Sequence, residues 1–225
     1  MPDTTGSGPG RRDERAHPRT PFYCMRRPDP DRAPRILAGR FRGRALLVPE
    51  GKVTRPVRAL VRRSLFDSLQ LELADSRWLD LFAGSGSFGL EALSRGASHA
   101  TFIEAGREGL RCLRDNLGRL GLAPPEVDLV AASLPERLKL PPPTGAPFDF
   151  IALDPPFPLV RDSAARAALH AGLTAAGRSG WFAPAALLCY EEPGDLAAEL
   201  PDGFSEEARR EHGITSRMRR LRWVG

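Results

Sequence analysis

The hydrophobic positions after residue 76 fall into short apolar runs that alternate with longer amphipathic stretches. Short apolar runs predict strands, and an apolar period of about 3.6 residues predicts helices. Regular alternation of the two is typical of an α/β fold with a doubly wound, mostly parallel sheet, and the alternating tail up to Trp223 adds two strands, for seven in all. The other predicted strands are Arg77–Phe82, His99–Glu104, Glu126–Ala132, Phe148–Leu153 and Ala185–Glu192, and the helices are Ser87–Arg95, Arg107–Leu120 and Arg161–Ala176.

The chain ahead of this pattern divides into a tail and a small basic extension. Residues 1–33 are rich in proline, glycine and arginine and lack apolar periodicity, which predicts disorder. From Arg35 to Gly51 apolar and basic residues alternate, which predicts a β-hairpin with one arginine-bearing face. A helix follows from Pro56, and residues 34–75 form the extension to a domain of residues 76–225. The side of this helix that is predicted to be buried carries Val57, Leu60, Val61, Ser64, Leu65, Ser68 and Leu69, with arginines on the opposite side.

The charge distribution changes this picture by pointing to a polyanionic partner. The net charge is +5, but residues 1–63 hold sixteen basic and six acidic residues, and the remainder holds seventeen basic and twenty-two acidic ones. Almost all of the excess is arginine, whose planar fork suits phosphate. A solvated tail is the alternative explanation of the charge alone.

Other classes of protein find little support in the sequence. No apolar run approaches the roughly 20 residues of a membrane span, and the first residues lack the apolar core of a signal peptide. Three cysteines and four histidines are scattered at spacings that fit neither a disulfide framework nor a metal site. We therefore expect a cytoplasmic protein without a metal and without membrane contact.

The first candidate chemistry is the glycine loop of LDLFAGSGSFGLEAL, residues 79–93. Gly84, Gly86 and Gly89 form G-x-G-x-x-G between a strand and a helix, and Glu104 ends the next strand, where a carboxylate can accept both ribose hydroxyls. This pairing predicts a bound adenine nucleoside but does not separate NAD from S-adenosylmethionine. Asp80 favours the latter, because a carboxylate there repels a pyrophosphate and suits a cationic sulfonium. A purely structural turn is the alternative.

The second candidate is DPPF, Asp154 to Phe157, at the end of the fourth predicted strand. An exocyclic amine of a base is a poor nucleophile because its lone pair is delocalised into the ring. The Asp154 carboxylate and the Pro155 carbonyl can each accept one N–H and aim the lone pair at a methyl group. Pro156 helps to hold the carbonyls rigid, and Phe157 offers a face for a flipped base. An ordinary strand-ending turn is the alternative.

In their order along the chain, RILAGRFRGRALLVP, LDLFAGSGSFGLEALSRGA, FIE, LDPPF and GWFAPAALLCYE resemble the bacterial small-subunit ribosomal RNA guanine-N2 methyltransferase family, from about Arg35 to Arg222. The resemblance implies a Rossmann-like S-adenosylmethionine-dependent methyltransferase fold. It also implies methylation of one guanine N2 in 16S ribosomal RNA, within an assembling small ribosomal subunit. We expect a monomer.

On this reading three groups of residues carry the function. The catalytic group is Asp154, Pro155, Pro156 and Phe157. The cofactor group is Asp80, Gly84, Ser85, Gly86, Glu104, Ala105, Ala132 and Ser133. The RNA-binding group is Arg35, Arg40, Arg42, Arg44, Arg55, Arg58 and Arg62.

Departures from the family pattern keep other functions open. The segment Val57–Arg63 lacks the usual acidic residues, and Ala132–Ser133 stands where an amide or carboxylate usually reads the adenine. A degenerate methyltransferase that only holds RNA is therefore one alternative. A DNA adenine-N6 methyltransferase is another, because tetrads like DPPF serve that chemistry too. An NAD dehydrogenase would leave DPPF unused.

Overall fold

A computed structural model describes residues 33–49, 56–213 and 215–225. The predicted tail therefore lies almost wholly outside the described residues, as do Arg55 and the side chain of Arg58. No helix in the described ranges has both the length and the apolar character needed to cross a membrane.

Five α-helices, one short 3-10 helix and seven strands follow one another in the described chain. The helices are α1 (Pro56–Ser68), α2 (Ser87–Ser94), α3 (Arg107–Leu120), α4 (Phe157–Arg161) and α5 (Ser163–Arg178), with the 3-10 helix at Glu136–Lys139. The strands are β1 (Arg77–Leu81), β2 (His99–Glu104), β3 (Val127–Ala131), β4 (Phe148–Leu153), β5 (Phe182–Pro193), β6 (Phe204–His212) and β7 (Ser216–Trp223).

All seven strands form one sheet in the order β3-β2-β1-β4-β5-β7-β6. Neighbours from β3 to β5 are parallel, and β7 is antiparallel to both β5 and β6. The predicted α/β fold with a mostly parallel seven-stranded sheet is confirmed. Strand order reverses between β1 and β4, and ligands of such sheets bind at the carboxyl ends of the strands beside that point.

Apolar side chains cover both faces of the sheet. On one face α1, α2 and α3 pack through Phe66, Leu90 and Leu113, and Trp78 stacks between the rings of Phe66 and Phe150 at 5.2 and 5.5 Å. On the other face α5 and the 3-10 helix pack against β4 and β5. Burial on both faces explains why the central strands are continuous apolar runs rather than alternating ones.

The extension departs from its prediction in two ways. Residues 35–45 fold back on themselves as a hairpin-like turn, but only one antiparallel bridge, Arg35 to Ala45, joins its arms. The buried stripe of α1 is rotated by about one residue, because Arg62 and Phe66 are buried while Leu60 is 62% exposed and Ser68 is exposed. We call residues 35–46 the arginine loop.

The helix predicted at Arg161–Ala176 is observed as α5, Ser163–Arg178, and the short helix α4, which was not predicted, precedes it. The Asp162 carboxylate accepts a hydrogen bond from the Ala165 N–H and caps the start of α5. DPPF therefore leads directly into a short helix of its own, which begins at Phe157.

Candidate active site

The glycine loop lies at the carboxyl end of β1, between the ends of β2 and β4. Leu81, the last residue of β1, is paired with Ile103 of β2 and Leu153 of β4, so Glu104 ends β2 and Asp154 directly follows β4 beside the loop. The chain leaves β1 through Phe82, whose φ of 61° is unusual for a bulky residue. The predicted cofactor and catalytic segments therefore meet at one edge of the sheet.

The Glu104 carboxylate closes the glycine loop from the neighbouring strand. One oxygen accepts the Gly84 N–H at 2.7 Å, and the other accepts the Gly106 N–H at 2.6 Å. A Cβ at Gly109 would lie 2.9 Å from the Glu104 carboxyl carbon, so glycine is needed there for this placement. Each carboxylate oxygen retains a further lone pair, which fits a ligand that offers hydroxyl donors.

Two positions of the motif require glycine, each for a different structural reason. Gly86 has a φ of 82° and precedes α2, a conformation that disfavours other residues. A Cβ at Gly89 would lie 2.4 Å from the Phe102 ring, so this glycine lets α2 pack closely on β2. The motif is thus required by the turn and by helix packing, as well as being open to a ligand.

Asp80 lies beneath the loop and is almost fully buried. Its carboxylate accepts the Gly89 N–H at 2.9 Å. Burial raises the pKa of Asp80 well above its usual range; the Gly89 hydrogen bond opposes the rise, and the charges of Asp154 and Glu104 add to it. Asp80 therefore interacts with both neighbouring carboxylates, and a cationic group nearby would stabilise its ionised form.

DPPF turns sharply away from the sheet after β4. Asp154 is half-buried and Pro155 is buried. Pro156 is exposed at the position before α4, and Phe157 is half-buried at the first position of that helix. Asp80 of β1 is in register with Ala152 of β4, two residues before Asp154, so the two carboxylates lie on neighbouring strands.

The remaining predicted cofactor residues follow β2 and β3 at the same edge. Ala105 and Ser133 are exposed and Ala132 is half-buried. The Ala132 N–H donates to the Glu104 carbonyl at 3.1 Å, which ties the two strand ends together. Ser85 lies in the glycine loop with its side chain half-buried.

The arginine loop presents most of its guanidinium groups to solvent. Arg35, Arg40, Arg42 and Arg44 are exposed. Arg35 donates to the Gly43 carbonyl at 2.9 Å, and Arg40 forms an ion pair with Glu126 and lies 4.6 Å from the Phe41 ring centre. Arg42 and Arg44 are therefore the most available to a polyanion.

The prediction that Arg62 contacts phosphate is wrong. Its side chain is buried, and it donates at 2.6 Å to the Arg35 carbonyl and lies 3.9 Å from the Glu91 carboxylate. Burial lowers the pKa of Arg62, and the nearby Glu91 charge opposes this effect. Arg62 holds the base of the arginine loop rather than RNA.

Sequence analysis missed the two side chains of α2 that hold the arginine loop. The buried Glu91 carboxylate accepts the Leu37 and Ala38 N–H groups at 2.8 and 3.1 Å and the Arg95 side chain at 2.8 Å. The Ser94 hydroxyl accepts the Phe41 N–H at 2.9 Å. An acidic residue among the buried positions of an apolar helix was the available signal.

Asn116 of α3 was missed as well. This buried amide accepts the Leu47 N–H at 2.8 Å and donates to the carbonyls of Leu47 and Ser85, both at 3.0 Å. One side chain thus joins the segment after the arginine loop to the glycine loop. A polar residue one turn from Leu113 and Cys112 on the buried face of α3 was its only signal in the sequence.

Comparisons with known proteins identify the family of the chain. Residues 34–219 match the model of a family described as conserved hypothetical protein 95. The chain is 34% identical over 183 residues to ribosomal RNA small subunit methyltransferase D of Haemophilus influenzae, which covers 81% of this chain and 90% of that protein.

Solved structures are similar too. The structure of yhhF from Escherichia coli superposes with a TM-score of 0.72 at 32% identity and covers 85% of this chain and 98% of that one. SMU.776, solved with SAH, shares only the fold, with a TM-score of 0.54 at 14% identity over 72% of this chain and 49% of that one.

Proposed function

The chain belongs to the family of conserved hypothetical protein 95 and the ribosomal RNA small subunit methyltransferases D, and from this premise we propose that it methylates the exocyclic N2 amine of a guanine in 16S ribosomal RNA. One observation carries the proposal. Asp154 and Pro155 lie at the same end of the sheet as the glycine loop, which is hydrogen-bonded to Glu104. The substrate is 16S ribosomal RNA, free or within the assembling small ribosomal subunit.

The cofactor is S-adenosylmethionine, which supplies an electrophilic methyl group on a sulfonium when bound. Glu104 accepts the ribose hydroxyls, since each of its oxygens keeps a lone pair beside the backbone donors of Gly84 and Gly106. Asp80 and Asp154 place negative charge near the sulfonium. The Ser85 and Gly86 backbone, Ala105, Ala132 and Ser133 line the remaining surface. A Cβ at Gly106 or at Gly109 would lie 2.9 Å from the Glu104 carboxyl group, so both glycines leave Glu104 room for the position in which it accepts the ribose hydroxyls.

DPPF prepares the amine for attack. The Asp154 carboxylate accepts one N–H and the Pro155 carbonyl accepts the other, which turns the nitrogen lone pair away from the ring and towards the methyl group. The base stacks on Phe157, a contact worth about 1–3 kcal/mol. The ring of Pro156 fixes the backbone and offers no competing N–H. Methyl transfer would form the N–C bond, break the S–C bond and leave SAH, and the cationic nitrogen would then lose its proton to solvent, so the site needs no strong base.

The Asp154→Ala variant tests this role. We expect methyl transfer to fall by about 100-fold or more, because removal of a group that positions the transition state has a cost of that order. Binding of SAH by calorimetry should stay within about twofold of wild type. The isosteric Asp154→Asn variant keeps one acceptor oxygen and should retain more activity. Wild-type activity of Asp154→Ala would contradict the assignment.

The modified nucleoside tests the specificity. Incubation with labelled cofactor and 16S ribosomal RNA, small subunits or DNA, followed by mass spectrometry, should yield N2-methylguanosine from RNA. N6-methyladenine in DNA would show a DNA enzyme, and SAH binding without methylation of any substrate would show a binding protein. Monomeric state and cytoplasmic location stay predictions.

Arg35, Arg40, Arg42 and Arg44 contact phosphate in this proposal, and residues 34–75 serve as the RNA-binding extension. Exposure of the four side chains supports it. Arg55 and Arg58 keep their predicted role from sequence alone.

A further inference from the structure

A groove lies between α1 and the outer strands β6 and β7. Val61 and Leu65 of α1 and Met218 of β7 contribute apolar walls, and the volume is about 220 Å³. The polar lining consists of Ser64, Ser68, Arg209, Arg210, His212 and Arg220, without a carboxylate.

Two of these arginines form no ion pair with the residues that the structure describes. Arg210 donates to the Ser64 hydroxyl and Arg220 to the Ser68 hydroxyl, the latter at 3.3 Å. In the described part of the chain neither guanidinium lies within 4.0 Å of a carboxylate. Arg209, by contrast, is paired with Glu206 at 2.9 Å.

Neighbouring arginines on the same strands make the contrast sharper. Arg217 and Arg219 share the buried Glu192, and Arg222 pairs with Glu207 at 2.6 Å. Each of these other arginines of the outer strands is thus in an ion pair, whereas Arg210 and Arg220 at the groove form none among the described residues.

The position of the groove links it to the candidate active site. Arg62 of α1 holds the arginine loop, and Val61, about 100° around the helix from it, lines the groove, while Arg63 is exposed. His212 pairs with Ser216, which pairs with Pro193 at the carboxyl end of β5. The groove thus reaches towards the sheet edge that carries Asp154.

We propose that this groove is a second phosphate-binding track, occupied by the backbone of the substrate RNA on the side of α1 away from the arginine loop. This inference rests on the proposed function. Arginine forks beside neutral hydroxyls fit phosphate oxygens, and basic surfaces on both sides of α1 fit a polyanion long enough to cross it.

The test uses Arg210→Gln with Arg220→Gln in one chain, and Arg178→Gln as a matched control. Arg178 is exposed at the end of α5, on the opposite face of the sheet. Binding of transcribed 16S ribosomal RNA is measured by filter retention from 50 to 400 mM salt. Two lost phosphate contacts should lower the slope of log K against log salt by roughly 1.4 to 1.8 and weaken binding roughly 5- to 20-fold at 150 mM.

Two further measurements keep the outcomes apart. Ser68→Glu should weaken RNA binding without removing an arginine, by placing a carboxylate beside Arg220, and SAH binding by all variants should match wild type. An unchanged salt slope in the double variant overturns the track. If the slope is unchanged but an acidic peptide competes with RNA, the groove receives a protein segment instead. Failure of the wild-type chain to methylate any RNA would overturn the proposed function, independently of these slopes.

Discussion

Hydrogen bonds within the protein itself hold the Glu104 carboxylate in place. Backbone N–H groups from two different segments, Gly84 and Gly106, hold its two oxygens at 2.7 and 2.6 Å. A preorganised acceptor spends less free energy on ordering when a ligand binds. The residue two positions beyond Glu104 is a glycine whose N–H, rather than a side chain, serves the site.

Glu104→Gln is predicted to weaken SAH binding roughly 10- to 100-fold. The amide NH₂ group would face one of the two N–H donors, and hydrogen bonds to a charged group contribute about 1.5–3 kcal/mol. Calorimetry with SAH measures the change. Glu108→Gln, an exposed substitution in the first turn of α3, is the control. Equal affinity of the Glu104 and Glu108 variants would show that Glu104 does not hold the ribose.

At the scale of elements, the arginine loop is shaped by what it packs on. Gly39 approaches the end of α2 so closely that a Cβ would lie 1.7 Å from the Ser94 carbonyl oxygen. The Arg40 N–H donates to that same oxygen at 2.8 Å. The loop is thus fixed by hydrogen bonds to α2 as well as by backbone hydrogen bonds between its own arms, from Ile36 N–H to the Arg44 carbonyl and from Gly43 N–H to the Ile36 carbonyl.

Gly39→Ala and Gly43→Ala form a matched pair. Both glycines have positive φ, 77° and 80°, but a Cβ at Gly43 would meet nothing within 4 Å. We expect Gly43→Ala to lose about 1 kcal/mol from backbone strain alone. Gly39→Ala should lose more than twice that, because the loop must leave α2. Urea denaturation measures both, and equal losses would mean that the loop is not docked in solution.

Elements with continuous apolar runs between clear breaks were predictable from sequence. β2, β4 and α3 begin and end at the predicted residues, since glycine, proline or polar residues bound each run. The phase of α1 was not predictable, because the buried pair of Arg62 and Glu91 joins residues far apart in the chain. The DPPF and glycine segments could be found from sequence, whereas Glu91 and Asn116 act through contacts that only the fold creates.

At the scale of the whole molecule, charge counting along the sequence located only one of the two basic surfaces. Residues 64–225 carry an acidic excess, which hides those arginines of β6 and β7 that form no ion pair in the described part of the chain. Ion pairing decides which arginines leave positive charge on the surface, because Glu192, Glu206 and Glu207 neutralise most of their arginine neighbours. The fold therefore gathers on the face carrying α1 the positive charge that the sequence spreads over both ends.

The buried Asp80 should also make the free energy of unfolding depend on pH. Its folded pKa is raised above the unfolded value of about 3.9, so its contribution is fully present below that value and is lost as pH rises through the folded pKa. Relative to Asp80→Asn, wild type should therefore gain stability as pH falls from 7 towards 4. Urea unfolding without cofactor measures this, with exposed Asp115→Asn as the control. A pH-independent difference would contradict it.

The eight residues of α2 span about 12 Å, and they separate the turn at Gly86 from the docking side chains Glu91 and Ser94. One residue inserted in this span would rotate the docking side chains by about 100° around the axis while leaving the turn as it is. The number of residues in this helix therefore fixes the distance between the glycine loop, where we propose that the methyl donor binds, and the arginine loop, which we propose contacts RNA.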